Sequence, residues 1–215
     1  MYPFFKRFFD IVLSSLGIIV LALPMAIIAV IIKLDSKGPV FFRQRRIGIN
    51  KTEFNIIKFR SMPTTVPHDT PTHQFRAEDM LSGFQKAMRR MSIDEIPQLF
   101  NIFSGRMSFV GPRPALWNQY DLTAERDKYG ANAVKPGLTG LAQISGRDEL
   151  PIPVKAKFDG QYAEAIRKGG LTAFGMDIRC FFGTFASVAK HEGVVEGGTG
   201  RLAAKNDIKK TGTDQ

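Results

Sequence analysis

The sequence begins with a long uncharged stretch and then changes to shorter apolar patterns. Residues 11–32 are 22 consecutive uncharged residues, most of them aliphatic. Because a helix rises about 1.5 Å per residue, a helix of this length can cross a bilayer core of about 30 Å. The stretch is long for the apolar part of a signal peptide, and no small-residue cleavage motif follows it. The pattern therefore favours a membrane helix over a cleaved signal peptide or a buried helix of a soluble domain.

The charges that flank this stretch are basic at both ends. Lys6 and Arg7 precede it, and the basic residues that follow it are Lys33, Lys37, Arg43, Arg45 and Arg46. A helix that crosses a membrane normally carries its basic excess on one side only. Pro24 removes one helical hydrogen bond past the middle of the stretch. We therefore expect a re-entrant helix that breaks at Pro24 and returns to the face from which it entered.

After residue 33 the apolar residues recur at the spacings of short strands and helices. The pattern predicts strands within residues 39–48, 53–62, 104–114 and 135–147, and helices within 77–91, 116–130 and 153–168. Residues 63–76, with three prolines and four threonines, predict a loop. We expect a mixed α/β fold, with the re-entrant membrane helix over residues 1–33, a small cytosolic α/β domain over residues 34–192 and a flexible tail over residues 193–215.

Residues 171–190 show an amphipathic pattern. Apolar residues recur there at three- and four-residue steps, at Phe174, Ile178, Phe181, Phe182, Phe185 and Val188. This is the spacing of one face of a helix. Such a face packs against a protein core or lies in the headgroup region of a membrane, and the pattern alone favours neither. The expected fold therefore includes amphipathic helices at the membrane interface as one of two alternatives for this segment.

Composition narrows the kinds of site and partner. With one cysteine, the chain has no internal disulfide framework and no cysteine-ligated zinc site. The three histidines are scattered in polar stretches, which argues against a histidine metal cluster. The net charge of +10 indicates an anionic partner, such as a nucleic acid, lipid headgroups or a phosphorylated substrate. The uncharged stretch and the lack of a recognition motif disfavour a nucleic acid.

Two adjacent carboxylates, Asp94 and Glu95, stand out in this basic chain. Ser92 followed three residues later by Glu95 fits the capping box of a helix start, with Asp94 complementing the helix dipole. For the pair taken alone, this capping interpretation is favoured. The alternative is a reaction centre in which one carboxylate attacks or holds a metal ion while the other acts as a base or second ligand.

Several basic residues are framed by residues that restrict or open the backbone. Arg113 lies between two prolines, Arg147 ends a glycine-rich run, and Lys58 and Arg60 fall on one face of a predicted strand. Arg89 precedes the carboxylate pair. Each of them alone is best explained as a solvated surface charge. Together with two carboxylates they suit a diphosphate that binds with a divalent cation.

Six ordered blocks between about residues 4 and 150 resemble the bacterial sugar transferases that act on polyprenyl phosphate, and most closely the small monotopic phosphoglycosyl transferases. The blocks are FKRFFDIVLSS, GPVFFRQRRIG, FNIIKFRSM, MSIDEIPQLFNIFSG, MSFVGPRP and KPGLTGLAQISGR. The resemblance implies transfer of a sugar 1-phosphate from a UDP-sugar to undecaprenyl phosphate at the cytosolic face of the bacterial inner membrane. UMP is the expected product, Mg²⁺ the expected cofactor, and an aspartyl-phosphosugar the expected intermediate.

The resemblance also implies roles for individual residues. Asp94 would be the nucleophile and Glu95 a base or metal partner, so both are candidate ligands of the Mg²⁺ ion. The family's functional basic residues fall on Lys58, Arg89, Arg113 and Arg147, and with Arg60, on the same strand face as Lys58, they are expected to bind the donor phosphates. A D-x-x-Y element falls on Asp159 and Tyr162, which are also expected to bind the substrate. The family's helix-breaking proline falls on Pro24, preceded here by Leu23 where many members have serine.

The main alternative to this enzyme is a non-catalytic scaffold at the membrane surface. Its basic face would bind anionic lipid, and Asp94 and Glu95 would only cap a helix. Release of UMP from a UDP-sugar, dependent on Mg²⁺ and prenyl phosphate, is the property that only the enzyme would have.

Overall fold

The computed structural model describes residues 2–64, 81–146 and 150–189, with side chains to residue 185. Its elements are α1 (Tyr2–Asp35), β1 (Phe41–Ile47), β2 (Glu53–Phe59), α2 (Gly83–Arg90), α3 (Gln98–Phe103), β3 (Ser108–Val110), α4 (Tyr120–Asp127), β4 (Gly137–Thr139), α5 (Leu141–Ile144), α6 (Ile152–Lys168) and α7 (Gly170–Ala189). A long apolar N-terminal helix followed by a small α/β domain confirms the predicted fold class. Most of the predicted loop over 63–76 and the whole predicted tail over 193–215 lie outside the described residues.

The strands pair in two small sheets. β1 and β2 form an antiparallel hairpin in register from Phe41 opposite Phe59 to Ile47 opposite Glu53. β3 and β4 are parallel, with Ser108 opposite Gly137. The chain segments that follow β3 and β4 therefore leave from the same edge of the sheet. The backbones are very close there, since a Cβ on Gly137 would come within 2.1 Å of the backbone nitrogen of the residue after β3.

One side of α1 packs against the rest of the protein along most of the helix. Near the middle, a Cβ added to Gly17 would lie 3.1 Å from the Leu99 side chain of α3. Two apolar clusters hold this side of the helix. The first contains Ile56, Leu99, Ile102 and Met107, with Ile18 and Leu21 of α1 packed against it. The second contains Ile32 of α1 with Phe59 and Met88.

Polar contacts fasten the N-terminal end of α1 to the domain. The Arg7 guanidinium donates to two carbonyl oxygens at the end of α3, at 2.7 and 2.6 Å. Asp10 accepts a hydrogen bond from Ser108 Oγ of β3 at 3.0 Å. Lys6 forms an ion pair of 2.7 Å with Asp177 of α7. The beginning of α1 is therefore tied to three separate elements of the domain.

The C-terminal end of α1 is fastened by a buried arginine. The Arg60 guanidinium, just after β2, donates to the carbonyl oxygen of Ser36 at 2.7 Å and lies 3.4 Å from that of Ile32. Gln85 Nε2 of α2 donates to Asp35 at 3.0 Å. The last carbonyls of a helix have no partner within the helix, and Arg60 supplies donors to them. Both ends of α1 are thus held by the same domain.

The contacts of Arg60 with the C-terminal end of α1 should stabilise the fold. Arg60→Met should lower the free energy of unfolding by about 2 kcal/mol, because buried and part-buried carbonyls at the end of α1 lose their charged donors. Denaturant titration of the detergent-solubilised protein measures the change. Arg43→Met, at an exposed arginine of β1, is the matched control and should stay within about 0.5 kcal/mol of wild type. Equal stability of the two variants would contradict the structural role of Arg60.

The structure corrects the predicted break of the membrane helix. Pro24 lies inside α1, which is one helix from Tyr2 to Asp35. If α1 returns to the membrane face from which it entered, it does so without a non-helical interruption at Pro24. Since proline removes one intrahelical hydrogen bond and crowds the preceding turn, Pro24 stays the predicted position of a bend in α1.

Two helices expose broad apolar faces. α7 buries Ala173 and Cys180 on its inner side. Its exposed apolar residues are Leu171, Phe174, Ile178, Phe182 and Phe185. On α1 the exposed apolar residues include Phe4, Phe5, Phe8, Phe9, Ile19, Val20, Leu23, Val30 and Leu34. One face of α7 thus packs on the core, while contact of its exposed apolar face with a membrane stays a prediction.

Candidate active site

The predicted carboxylate pair lies in the short 3-10 turn Ile93–Glu95, between α2 and α3. Ser92, which precedes this turn, adopts a left-handed φ of 55°, and its side chain makes no capping hydrogen bond. The predicted capping box of Ser92 and Glu95 is therefore wrong. The capping box belongs to α2, where Ser82 and Gln85 exchange side-chain and backbone hydrogen bonds. Both carboxylates of the pair are thus available for other contacts.

Glu95 accepts hydrogen bonds from two basic side chains. Lys58 Nζ of β2 lies 2.7 Å from Glu95 Oε1, and an Arg113 guanidinium nitrogen lies 3.0 Å from the same oxygen. Burial alone would raise the pKa of Glu95, but Arg113 and Lys58 outweigh this effect and hold the pKa well below its usual range. Glu95 is therefore an ionised carboxylate that joins a residue of β2 to the segment after β3.

Asp94 has a different environment from its neighbour. It is 9% exposed, and Ser61 Oγ donates to its Oδ2 at 3.3 Å. Burial raises the pKa of Asp94, and the adjacent Glu95 carboxylate adds to the rise, whereas the charges of Lys58 and Arg89 oppose it. The protein therefore compensates the charge of Asp94 less completely than the charge of Glu95. A cationic ligand beside Asp94 would stabilise its ionised form.

The structure gathers three of the predicted basic residues around the pair. Lys58 and Arg113 contact Glu95, and the charge of Arg89 on α2 acts on Asp94. Arg147 lies outside the described residues. Arg60 is turned away from its predicted place and lies at the C-terminus of α1. Its contacts give Arg60 a structural role, and phosphate binding by Arg60 stays an untested prediction.

The D-x-x-Y residues of α6 are both buried, each 1% exposed. Asp159 Oδ2 accepts a hydrogen bond from Arg126 Nε of α4 at 2.8 Å. Tyr162 Oη lies 2.8 Å from the carbonyl oxygen of Val110 and 2.8 Å from Asp177 Oδ1. These bonds fix α6 against α4, β3 and α7. Contact of Asp159 or Tyr162 with a substrate stays a prediction without support from their positions.

Two residues near the site, Ser61 and Arg126, were not predicted from the sequence. Ser61 follows Lys58 on the same chain segment and reaches Asp94. Arg126 lies four residues after the buried Leu122 of α4, on the face where an apolar residue is expected. A basic residue at such a position is a signal of a buried ion pair, and this signal was available in the sequence.

The carboxylate pair fits a divalent cation that is shared with a phosphate ligand. Mg²⁺ is usually held by one or two carboxylates together with substrate phosphates, rather than by a cage of protein ligands. Within residues 2–64, 81–146 and 150–189, no group of three or more His, Cys, Asp or Glu side chains forms a cage. Asp94 is the carboxylate whose buried charge such a cation would compensate.

Comparison with known proteins gives relatives of different lengths. The chain is 43% identical over 152 residues to undecaprenyl-phosphate glucose phosphotransferase of Komagataeibacter xylinus, covering 67% of this chain and 29% of that protein. It is 42% identical over 150 residues to UDP-glucose:undecaprenyl-phosphate glucose-1-phosphate transferase of Xanthomonas campestris pv. campestris, covering 68% and 31%. This chain thus matches less than a third of the length of these two relatives.

A shorter relative matches over most of both chains. The chain is 37% identical over 190 residues to exopolysaccharide production protein PSS of Rhizobium leguminosarum bv. phaseoli, covering 85% of this chain and 94% of that protein. The family model described as "Bacterial sugar transferase" matches residues 1–191, which include α1, the carboxylate pair and all of the described domain. The chain therefore belongs to the bacterial sugar transferase family.

Proposed function

We propose that this protein transfers a sugar 1-phosphate from a UDP-sugar to undecaprenyl phosphate and releases UMP. The observation that carries the proposal is the unequal carboxylate pair. Glu95 is ionised and held by Lys58 and Arg113, whereas Asp94 is buried beside it with less compensation of its charge. The name of the Xanthomonas campestris relative describes a glucose-1-phosphate transfer between UDP-glucose and undecaprenyl phosphate, so UDP-glucose is the first donor to test.

The chemistry divides into two displacements at one phosphorus atom. An Oδ oxygen of Asp94 attacks the phosphorus that carries the sugar, and UMP leaves with the electrons of the broken phosphoanhydride bond. An oxygen of undecaprenyl phosphate then attacks the same phosphorus, and Asp94 leaves as a carboxylate. Arg113 and Arg89 would stabilise negative charge on the phosphoryl oxygens. Glu95 orients Lys58 and Arg113 through the oxygen that both contact.

Mg²⁺ is part of this proposal. The oxygens of Asp94 and Glu95 would hold the ion together with the donor diphosphate, and the ion would supply charge neutralisation at the phosphates. The support is the composition of the site, which offers two carboxylates beside several cations in the described residues. Loss of UMP release on chelation with EDTA, restored by added Mg²⁺, is the corresponding test.

The exposed apolar faces fit an acceptor that is delivered from a membrane. Family membership and the length of α1 support membrane association, since α1 is long and apolar enough to cross a bilayer by length and composition. Phe100 and Phe103 of α3 are also exposed and add to the apolar surface beside α1. We infer that α1 and α7 contact the cytosolic leaflet of the bacterial inner membrane.

The fastening of both ends of α1 predicts the topology of this helix. Since Arg7 and Asp10 at one end and Asp35 at the other contact the same domain, both ends should lie on the cytosolic side. Phe4→Cys and Lys37→Cys, each in a Cys180→Ser background, should resist a membrane-impermeant maleimide in intact bacteria and react after permeabilisation. Labelling at Phe4→Cys in intact cells, with Lys37→Cys protected, would show a spanning helix.

The activity itself is tested with the purified protein in detergent or nanodiscs. A panel of UDP-sugars is incubated with undecaprenyl phosphate and Mg²⁺, and UMP and the lipid-linked product are quantified. We expect release of UMP over many turnovers with at least one donor, dependent on both the acceptor and the cation. Binding to anionic vesicles without UMP release from any UDP-sugar would favour the scaffold alternative.

A further inference from the structure

A buried ion pair joins α4 to α6 beside the candidate active site. Arg126 donates through Nε to Asp159 Oδ2 at 2.8 Å, and a second guanidinium nitrogen lies 2.7 Å from the same oxygen. The side chains are 5% and 1% exposed. Burial raises the pKa of Asp159 and the charge of Arg126 opposes that rise. Both side chains of the pair are thus buried.

The same guanidinium also contacts the chain segment that enters the active site. Arg126 donates to the carbonyl oxygen of Arg113 at 2.9 Å. Arg113 in turn donates to Glu95, which is also bound by Lys58. Contacts of 2.7–3.0 Å therefore run without interruption from α6 to the carboxylate pair.

α6 and the segment that follows α4 lie so close together that a larger side chain between them would disturb the Arg126–Asp159 pair. A Cβ on Gly160 of α6 would come within 2.3 Å of the Cβ of Tyr129, which follows α4. A side chain at Gly160 would therefore push the two helices apart. This close contact explains why glycine, which is unfavourable inside a helix, occurs at residue 160.

We propose that the Arg126–Asp159 pair is a positioning element for Arg113. Burying two charges costs solvation energy, and a well-packed apolar pair is often as stable, so stability gives little reason for an ion pair here. The pair does supply a donor that holds the main chain at Arg113. The two prolines beside Arg113 restrict rotation of this segment, so a fixed carbonyl also fixes the origin of the Arg113 side chain.

The inference rests on the proposed function, because Arg113 is taken to act on the donor phosphates. Asp159→Asn should lower kcat/KM about 10- to 100-fold, mainly through kcat, since Arg126 loses its ionic partner and the Arg113 carbonyl its fixed donor. Asp127→Asn removes the exposed ion pair between Lys51 and α4 and is the matched control. Its kcat/KM should equal that of wild type.

A double-mutant cycle separates positioning from a merely structural role. UMP release is measured for wild type, Asp159→Asn, Arg113→Ala and the double variant, together with the thermal midpoint of each. If Asp159 acts through Arg113, the Asp159→Asn substitution should change kcat/KM less than about 2-fold once Arg113 is alanine. An equal loss in both backgrounds would overturn the proposal, because the effect would then not pass through Arg113.

A second perturbation covers the case in which Asp159→Asn does not fold. Gly160→Ala disturbs the same contact without removing a charge and should show the same dependence on Arg113. A loss that persists in the Arg113→Ala background again overturns the proposal. If wild type releases no UMP from any donor, the proposed function fails, and this outcome differs from an active wild type with additive variants.

Discussion

Asp94→Asn is expected to abolish turnover while the protein folds and enters membranes normally. An amide cannot form the acyl-phosphate, and loss of a covalent route costs several orders of magnitude in rate. The amide has nearly the size of the carboxylate, and its oxygen can accept the hydrogen bond from Ser61. Removing a buried carboxyl whose pKa is raised by burial should not lower stability.

The measurements for this variant are UMP release, membrane fractionation and the thermal midpoint. Asp121→Asn, at an exposed position of α4, is the control and should retain wild-type turnover. If Asp94 were only a neighbour of a helix cap, its substitution would change stability by about 0.5 kcal/mol and leave turnover intact. An Asp94→Asn protein with wild-type turnover would therefore return Asp94 to such a minor role.

Glu95→Gln should lower both the stability and the activity of the protein. Lys58 and Arg113 would both lose the charge of their shared acceptor, and Lys58 is 13% exposed. Breaking a buried pair by removing one partner costs about 3 kcal/mol or more, and we expect about 2 kcal/mol because Arg113 is partly solvated. Turnover should fall about 100-fold, since the two cations lose their orientation.

A second substitution distinguishes lost charge balance from general disruption. Lys58→Met combined with Glu95→Gln removes both members of the ion pair, so the double variant should lose less stability than the sum of the two single variants. Denaturant titration gives the three free energies. A double variant whose loss equals that sum would show that Lys58 and Glu95 are not coupled.

The long apolar pattern and the two hairpin strands were predictable from sequence, whereas the catalytic role of the carboxylate pair stays a prediction. Residues 11–32 carry a local signal, because an uncharged run needs no tertiary information to be recognised. The strands within residues 39–48 and 53–62 correspond to β1 and β2, which pair with each other. Asp94 and Glu95 were recognisable as candidates because they are two adjacent acids in a basic chain.

The environment of the pair depends on contacts that are distant in sequence. The S-x-x-E spacing at Ser92 predicted a helix cap, but Glu95 finds stronger partners in Lys58 of β2 and Arg113. Charge-assisted hydrogen bonds from another strand outweigh a local cap. A similar tertiary effect places Arg60, predicted beside Lys58, at the end of α1, since β2 ends at Phe59 and the chain beyond it no longer alternates as a strand.

The central claim is that Asp94 carries the sugar phosphate between donor and acceptor. Its most direct test is rapid quench of the wild-type protein with UDP-sugar and Mg²⁺ in the absence of undecaprenyl phosphate, followed by intact-protein and peptide mass spectrometry. We predict one phosphosugar adduct, mapped to the peptide that contains Asp94, absent in Asp94→Asn and lost on addition of undecaprenyl phosphate. An adduct on another residue, or UMP release with acceptor but no adduct without it, would contradict the account.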